Sequence, residues 1–279
     1  MPDWRPLVVC RKDGYPRIMG VINVTPDSFF EDSRSNNISE AIKIAESMIQ
    51  NGADWLDVGG ESTRPGAEPV EEEEEISRVV PVIRELREKF PEIGISVDTR
   101  RSKVAKLSLE EGADMINDIS ALSDENMINV IKQSDCYICL MHMKGLPENM
   151  QDNPQYDDVV AEVRNRLNEK VSLLIREGID RKRIIVDPGI GFGKSLEHNL
   201  LLLKSGREII PMNNVRLMWG VSRKSMFSEF LGRIETRDRL AGTLGIAAMT
   251  KSKAVDIIRV HDVAEHTDLF RAMSALEDF

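Results

Sequence analysis

The chain has 279 residues, 47 acidic against 37 basic side chains, and a formal net charge of −10. That balance excludes a nucleic-acid groove, which needs a basic face, so any anionic ligand must be held by a local cluster of cations. No apolar stretch approaches the roughly 18 residues of a membrane span, and Met1-Pro2-Asp3-Trp4-Arg5 lacks the apolar core of a signal peptide, so the expectation is a cytoplasmic protein without membrane or nucleic-acid partners.

The first predicted strand runs from Ile18 to Val24 after a turn at Gly14-Tyr15-Pro16, and ends in Asn23-Val24-Thr25-Pro26-Asp27. A helix from about Ser39 to Asn51 stops at Gly52, a helix-ending residue. The second strand, Trp55 to Val58, leads through a glycine-rich loop to Glu71–Glu75, read as a solvated helix start whose acids complement the helix dipole. Strands at Ile93 to Val97, Met115 to Ile116 and Cys136 to Leu140 end at Asp98-Thr99-Arg100, Asn117-Asp118 and Met141-His142-Met143. After the fifth comes a long loop, Gly145 to Asp157, of the kind that is often functional inside a compact domain. Strands at Arg183 to Val186, Arg216 to Trp219 and Asp256 to Val260 end at Asp187-Pro188-Gly189, Ser222-Arg223-Lys224 and Arg259-Val260-His261-Asp262.

Eight strand-then-helix units predict an α/β fold, a (β/α)8 TIM barrel, with one domain over residues 1–279 and its active site where the strand ends converge. Gly-Ala-Asp occurs at 52–54 and again at 112–114, as successive copies of one helix-to-strand joint. Cys136 and Cys139 form a C-x-x-C, but an odd separation on a strand sends the side chains to opposite faces. They are small strand residues and neither a zinc site nor a disulfide.

The run Asp187 to Ser195 ends in Gly-Lys-Ser, yet a phosphate loop needs four residues between its glycines. The position required by Gly193 is Pro188, which excludes that motif. Arg259 and His261 share one side of their strand, and with Ser222-Arg223-Lys224-Ser225 they stand at neighbouring exits that often bind phosphate. The bland alternative is a set of salt bridges to barrel aspartates, and the anion site is the preferred reading. Asp98, Asn117 and Asp187 close three strands. A structural network and a cluster accepting hydrogen bonds from an N–H-rich heterocycle are equally compatible with them. Asn23 to Phe30 and Gly59 to Ala67 form two polar loops beside the cationic exits. Either is compatible with turn chemistry, and together they resemble a lid.

Gly20 to Phe29, Gly60-Glu61-Ser62-Thr63-Arg64-Pro65-Gly66, Met141-His142-Met143, Asp187 to Lys194, Ser222 to Ser225 and Arg259 to Asp262 resemble, in order, the motifs of the dihydropteroate synthases. That family condenses 6-hydroxymethyl-7,8-dihydropterin pyrophosphate with para-aminobenzoate, releasing pyrophosphate and making dihydropteroate for folate synthesis. The resemblance implies that Asp98, Asn117, Asp187 and Lys224 hold the pterin, with Arg259 against its ring. It implies that Asn23, Thr63, Arg259 and His261 hold the pyrophosphate, with Asn23 near Mg²⁺. Phe29, Arg64, Pro65, Phe192, Lys224 and Ser225 would shape the aminobenzoate pocket. Asp27, Arg64 and Lys224 would act in the reaction, Asp27 by stabilising positive charge on the pterin methylene. A homodimer and sensitivity to sulfonamides are also implied.

After Phe29 the family usually continues Ser-Asp-Gly, whereas this chain reads Phe30-Glu31-Asp32-Ser33. The missing glycine stiffens the loop, and Glu31 adds negative charge near the mouth. Two rival functions carry the same pterin cluster: a methyltransferase acting on methyl-tetrahydrofolate, and a non-catalytic pterin-binding protein. The first needs neither the Ser62–Gly66 loop nor the Ser222–Ser225 wall, and the altered first loop is all that favours the second.

Overall fold

The computed structural model describes residues 6–25, 34–62, 70–145 and 150–277. Eight parallel strands close into a barrel in chain order: β1 (Arg17–Asn23), β2 (Trp55–Gly59), β3 (Gly94–Asp98), β4 (Met115–Asp118), β5 (Tyr137–Met141), β6 (Ile184–Asp187), β7 (Arg216–Gly220) and β8 (Ile257–Val260). Around it lie α1 (Arg34–Gln50), α2 (Glu72–Lys89), α3 (Ser102–Glu110), α4 (Met127–Lys132), α5 (Val159–Arg176), α6 (Leu196–Ser205), α7 (Met226–Leu231), α8 (Leu240–Ala247) and α9 (Val263–Glu277). Closure falls to β1, whose Met19 lies opposite Trp55 of β2 on one side and Arg259 of β8 on the other. The barrel expected from the sequence is the one observed. Two differences are local: α1 begins at Arg34, because Arg34-Ser35-Asn36-Asn37 has no apolar residue to reveal its period, and both α7 and α8 lie between β7 and β8.

Alternation along each strand sorts the side chains. Inside the barrel, Met19, Trp55, Met115, Tyr137, Cys139, Ile185, Met218 and Ile257 form an apolar plug, joined by Val8. The Trp55 indole N–H donates to the Leu7 carbonyl at 3.1 Å, fixing the amino-terminal segment against this end. Gly94 makes room for the indole, since a Cβ there would lie 2.4 Å from it. Outward residues such as Leu56, Ile95, Ile138 and Val186 join the helices in the larger core. Cys136 sits in that outer layer and Cys139 in the inner one, and all three cysteines are free.

The amino-terminal face is stapled by one device used three times. Asp54, Asp114 and Asp256 each accept the backbone N–H of the second residue of a neighbouring strand, from Ile18 at 2.8 Å, Ile95 at 3.0 Å and Leu217 at 2.9 Å. Each is also paired with arginine: Arg11 and Arg17 at 2.7 and 2.9 Å, Arg87 at 2.6 Å, and Arg207 at 2.9 Å. The Gly-Ala-Asp repeat is therefore a true joint. Gly52 and Gly112 make its turn at φ of +98° and +102°, a region that favours glycine. The glutamate run corrects one expectation. Glu71, Glu73 and Glu74 are exposed, but Glu75 falls on the inward stripe with Val79 and Ile83, buried and paired with Arg101.

Candidate active site

The mouth is built by continuing the same alternation two residues beyond the apolar plug. Trp55 gives way to Asp57, Met115 to Asn117, Ile185 to Asp187 and Ile257 to Arg259, so each polar side chain inherits an inward position. Register then sets neighbours: Asn23, Gly59, Asp98 and Asn117 lie side by side across β1 to β4.

Arg259 spans the barrel interior. Its Nε donates to Asp57 Oδ2 at 2.6 Å and its Nη2 to Asp98 Oδ2 at 2.8 Å. The Asn117 amide donates to the same Asp57 oxygen at 3.1 Å. Asp57 is fully buried, and among the described residues its other oxygen has no hydrogen-bond partner. Burial pushes the Asp98 carboxyl up, Arg259 pulls it back, and Asp57 pushes it up again. Burial opposes the charge on Arg259, but Asp57 and Asp98 outweigh it and raise that group above its ordinary value. Removing one member of such a buried set typically costs about 3–5 kcal/mol, because the remaining charges are left uncompensated.

Opposite this axis stands Asp187, whose Oδ1 accepts the Gly189 N–H at 2.7 Å. Burial raises its pKa, against the pull of that N–H, of Lys224 and of Lys194. The Lys224 ammonium lies 4.0 Å from the centre of the Phe192 ring, a cation–π contact. Burial lowers its pKa to about 8, with Asp187 opposing, Arg259 adding to the fall and Asp98 opposing. Gly191 lets the lysine stem pass, since a Cβ there would be 3.2 Å from Lys224 Cδ. Ser225 is exposed beside Lys224 at the start of α7.

At the β8 exit, Ser222 Oγ lies 2.9 Å from His261 Nδ1 and accepts the His261 backbone N–H at 3.2 Å. His261 is exposed at the mouth, yet desolvation and then Arg259 hold its pKa down to about 4, which favours the uncharged ring. Arg223 makes a two-toothed pair with Asp262, its Nε 2.8 Å from Oδ2. Both arginines here carry the ion pairs of the bland alternative. The reason is geometric: aspartates two and three strands away point into the same narrow interior as Arg259.

The structure thus brings Asn23, Asp98, Asn117, Asp187, Phe192, Lys224, Ser225, Arg259 and His261 to one end of the barrel. Asp27, Phe29, Thr63, Arg64 and Pro65, with the unusual Phe30 to Ser33, lie outside the described residues. The sequence places Asp57 and His142 among the polar strand ends expected to share one pocket, and Lys194 within a motif, but gives none of the three a role; all are buried. Among the described residues no group of three or more His, Cys, Asp or Glu is placed to hold a metal ion, and none of the helices there is long and apolar enough to cross a membrane.

Comparison with known proteins gives a consistent picture. Residues 19–261 match the family model described as pterin binding enzyme. The dihydropteroate synthase of Escherichia coli K12 is 42% identical over 94% of this chain and 92% of its own length. Among solved structures, the Yersinia pestis dihydropteroate synthase, in complex with a sulfonamide drug, superposes with a TM-score of 0.88 at 37% identity, covering 96% of this chain and 97% of the other. The Xanthomonas albilineans dihydropteroate synthase, with 4-aminobenzoic acid, gives a TM-score of 0.87 at 38% identity over 95% and 94% of the two chains.

Proposed function

The chain belongs to the dihydropteroate synthases, transferases of the pterin-binding enzyme family, and from that premise we propose that its barrel mouth joins 6-hydroxymethyl-7,8-dihydropterin pyrophosphate to para-aminobenzoate. The products are 7,8-dihydropteroate and pyrophosphate. One observation carries the reading: the Arg259 bridge between Asp57 and Asp98, with Asn117, Asp187 and Lys224 around the same opening.

A pterin carries amino and ring N–H donors along one edge and acceptors along another. Asp98, Asn117 and Asp187 supply the complementary acceptors, and Lys224 supplies a donor. Charge-assisted bonds of this kind are roughly twice as strong as neutral ones. The Arg259 guanidinium, held flat by its two carboxylates, offers a plane for the ring to stack on. Phe192 and Lys224, with Ser225 at their edge, form a wall suited to an aromatic carboxylate.

In the reaction the bond from the pterin methylene carbon to the pyrophosphate oxygen breaks, and its electron pair leaves with the oxygen. The arylamine lone pair forms the new C–N bond, and one N–H proton passes to solvent. The leaving group gains negative charge, so preorganised positive groups lower the barrier. His261 and Arg259 stand at the β8 exit to meet it, and the arriving anion favours a proton on His261. Asp27, Thr63, Arg64 and Pro65 complete the site by resemblance. Mg²⁺ usually keeps several waters and binds through substrate phosphates as much as protein. That suits a mouth offering Asn23 and, among the described residues, no cluster placed to hold a metal, so the ion would arrive with the pyrophosphate and neutralise its charge.

Two further readings belong to the same proposal. Leu200, Leu201, Phe230, Leu231, Ile234 and Met249 are exposed on and beside α6, α7 and α8, an apolar patch of the sort that marks an interface. We assign it to a second copy of the chain, so light scattering should give twice the chain mass and Leu231→Asp should halve it. Free cysteines and the acidic surface support a cytoplasmic location.

Pyrophosphate release, measured with the pterin substrate, para-aminobenzoate and Mg²⁺ together and each omitted in turn, tests the reaction. Release requiring both organic substrates is expected. Release unaffected by the arylamine, or none at all, overturns the proposal. Sulfonamides, as arylamine mimics, should compete with para-aminobenzoate in the same assay.

A further inference from the structure

Lys194, two residues past Phe192, is 3% exposed and forms no salt bridge among the described residues. Its ammonium has three N–H donors and three acceptors: the Phe192 carbonyl at 2.8 Å, the His142 carbonyl at 3.2 Å and His142 Nδ1 at 3.1 Å. These acceptors come from two strand exits, β5 and β6. The exits are in backbone contact, for a Cβ on Gly189 would lie 1.8 Å from the His142 carbonyl oxygen. Burial drives the His142 pKa down to about 3, so its ring accepts rather than repels.

Burial lowers the Lys194 pKa to about 7, with Asp187 opposing and Lys224 adding to the fall, so holding a proton on this amine is costly. As glue between two loops it is an expensive choice, since an apolar side chain of similar size would fill the space. What the ammonium adds is direction. By bonding the Phe192 carbonyl it sets the backbone from which the Phe192 ring projects, and that ring holds the Lys224 ammonium at 4.0 Å.

We propose that Lys194 is a positioning residue for the arylamine half of the site: without touching substrate, it orients Phe192 and, through the ring, Lys224. This rests on the assignment of the Phe192–Lys224 wall to para-aminobenzoate. Of the pterin contacts, Asp98 and Asn117 come from β3 and β4 and make no bond to Lys194, whereas Asp187 closes β6 and Lys224 is the cation on the Phe192 ring, so pterin binding should feel a change at Lys194 less than the arylamine does.

Lys194→Met and the more conservative Lys194→Gln test it, with steady-state rates in both substrates, calorimetry with the pterin substrate and melting temperature on each sample. The expected result is a rise of about tenfold in KM for para-aminobenzoate, equal to 1.4 kcal/mol, with a clearly smaller loss of pterin affinity, since Lys224 is one of several pterin contacts. Phe192→Leu keeps the Lys194 bonds but removes the ring, so it should show the same split even where Lys194→Met fails to fold. Lys194→Gln added to Phe192→Leu should then raise KM little further. Equal losses in both substrates, a lowered melting temperature with unchanged KM values, or additive effects in the double variant overturn the inference. If the wild type releases no pyrophosphate with both substrates present, the functional reading itself falls. If the wild type turns over normally, only the role of Lys194 is at stake.

Discussion

The two ends of the barrel use the same residue types to opposite purpose. At the amino-terminal end, Asp54, Asp114 and Asp256 each spend one oxygen on the backbone N–H of an adjacent strand and pair with arginine besides. At the carboxyl end, Arg259 meets Asp57 and Asp98, but Asp57 retains an oxygen without a partner among the described residues and burial raises Asp98. A carboxylate tied to the neighbouring strand's backbone is part of the frame. One tied chiefly to other mouth side chains can exchange those partners for a ligand. Composition does not separate the two; the identity of the hydrogen-bond donor does.

The comparison is sharpest at Asp187. Asp187→Asn keeps an oxygen for the Gly189 N–H but loses the charge facing Lys224, so kcat/KM should fall at least about a hundredfold, ~2.7 kcal/mol, with little change in melting temperature. Loss of the fold together with activity would make Asp187 a frame residue like Asp114. The mirror experiment is Asp114→Asn. Uncoupling Arg87 at the frame should cost about 2–3 kcal/mol, near the low end for a buried pair, and lower the melting temperature by on the order of 5 °C. KM values at a permissive temperature should not move. A change in KM would mean that the two ends communicate.

Next in size is a pH effect confined to the mouth. The folded pKa of Lys224 is about 8, so its charge is present below that value and is lost as pH rises through it. The high-pH limb of kcat/KM should therefore fall tenfold per unit above about 8, and Lys224→Arg should carry its own limb to higher pH. An identical limb in both enzymes would exclude Lys224 as its source. Acid stability gives a smaller readout. His142 titrates near 3 when folded against an ordinary 6.5, so the unfolded chain takes up the extra proton. Its contribution to stability is complete above 6.5 and is lost as pH falls toward 3, at up to about 1.4 kcal/mol per unit. Denaturant titration of His142→Gln should show a shallower slope over that interval, and an unchanged slope would place the acid sensitivity elsewhere.

Much of this division was readable in advance, and the failures are instructive. Strand ends were legible because an apolar run followed by Asp, Asn or Arg marks the point where the interior turns polar. The frame showed itself through the repeated Gly-Ala-Asp, whose glycine turn is a backbone requirement visible in one dimension. Asp57 stands among those polar strand ends, but its role escaped because it depends on Arg259 across the barrel, a pairing that no local pattern encodes. Glu75 escaped because helix phase, and not charge, decided which of five glutamates faces inward. Lys194 was absorbed into a familiar-looking Gly-Lys-Ser, and the failed phosphate-loop spacing said what it was not without saying what it was.

The Arg259 bridge also bears on how the chain reaches its native state. Its two partners lie 202 and 161 residues earlier in sequence, and contacts at such separation form late because loop closure must precede them. During synthesis Asp57 and Asp98 emerge long before the cation that neutralises them. Two carboxylates facing the same interior repel one another there, which disfavours a tight half-barrel made from the first strands alone. Arrival of β8 supplies the seam with β1 and the missing charge in one event. Recovery of pterin binding on refolding should therefore coincide with final closure, and a chain ending before Arg259 should remain open at its mouth.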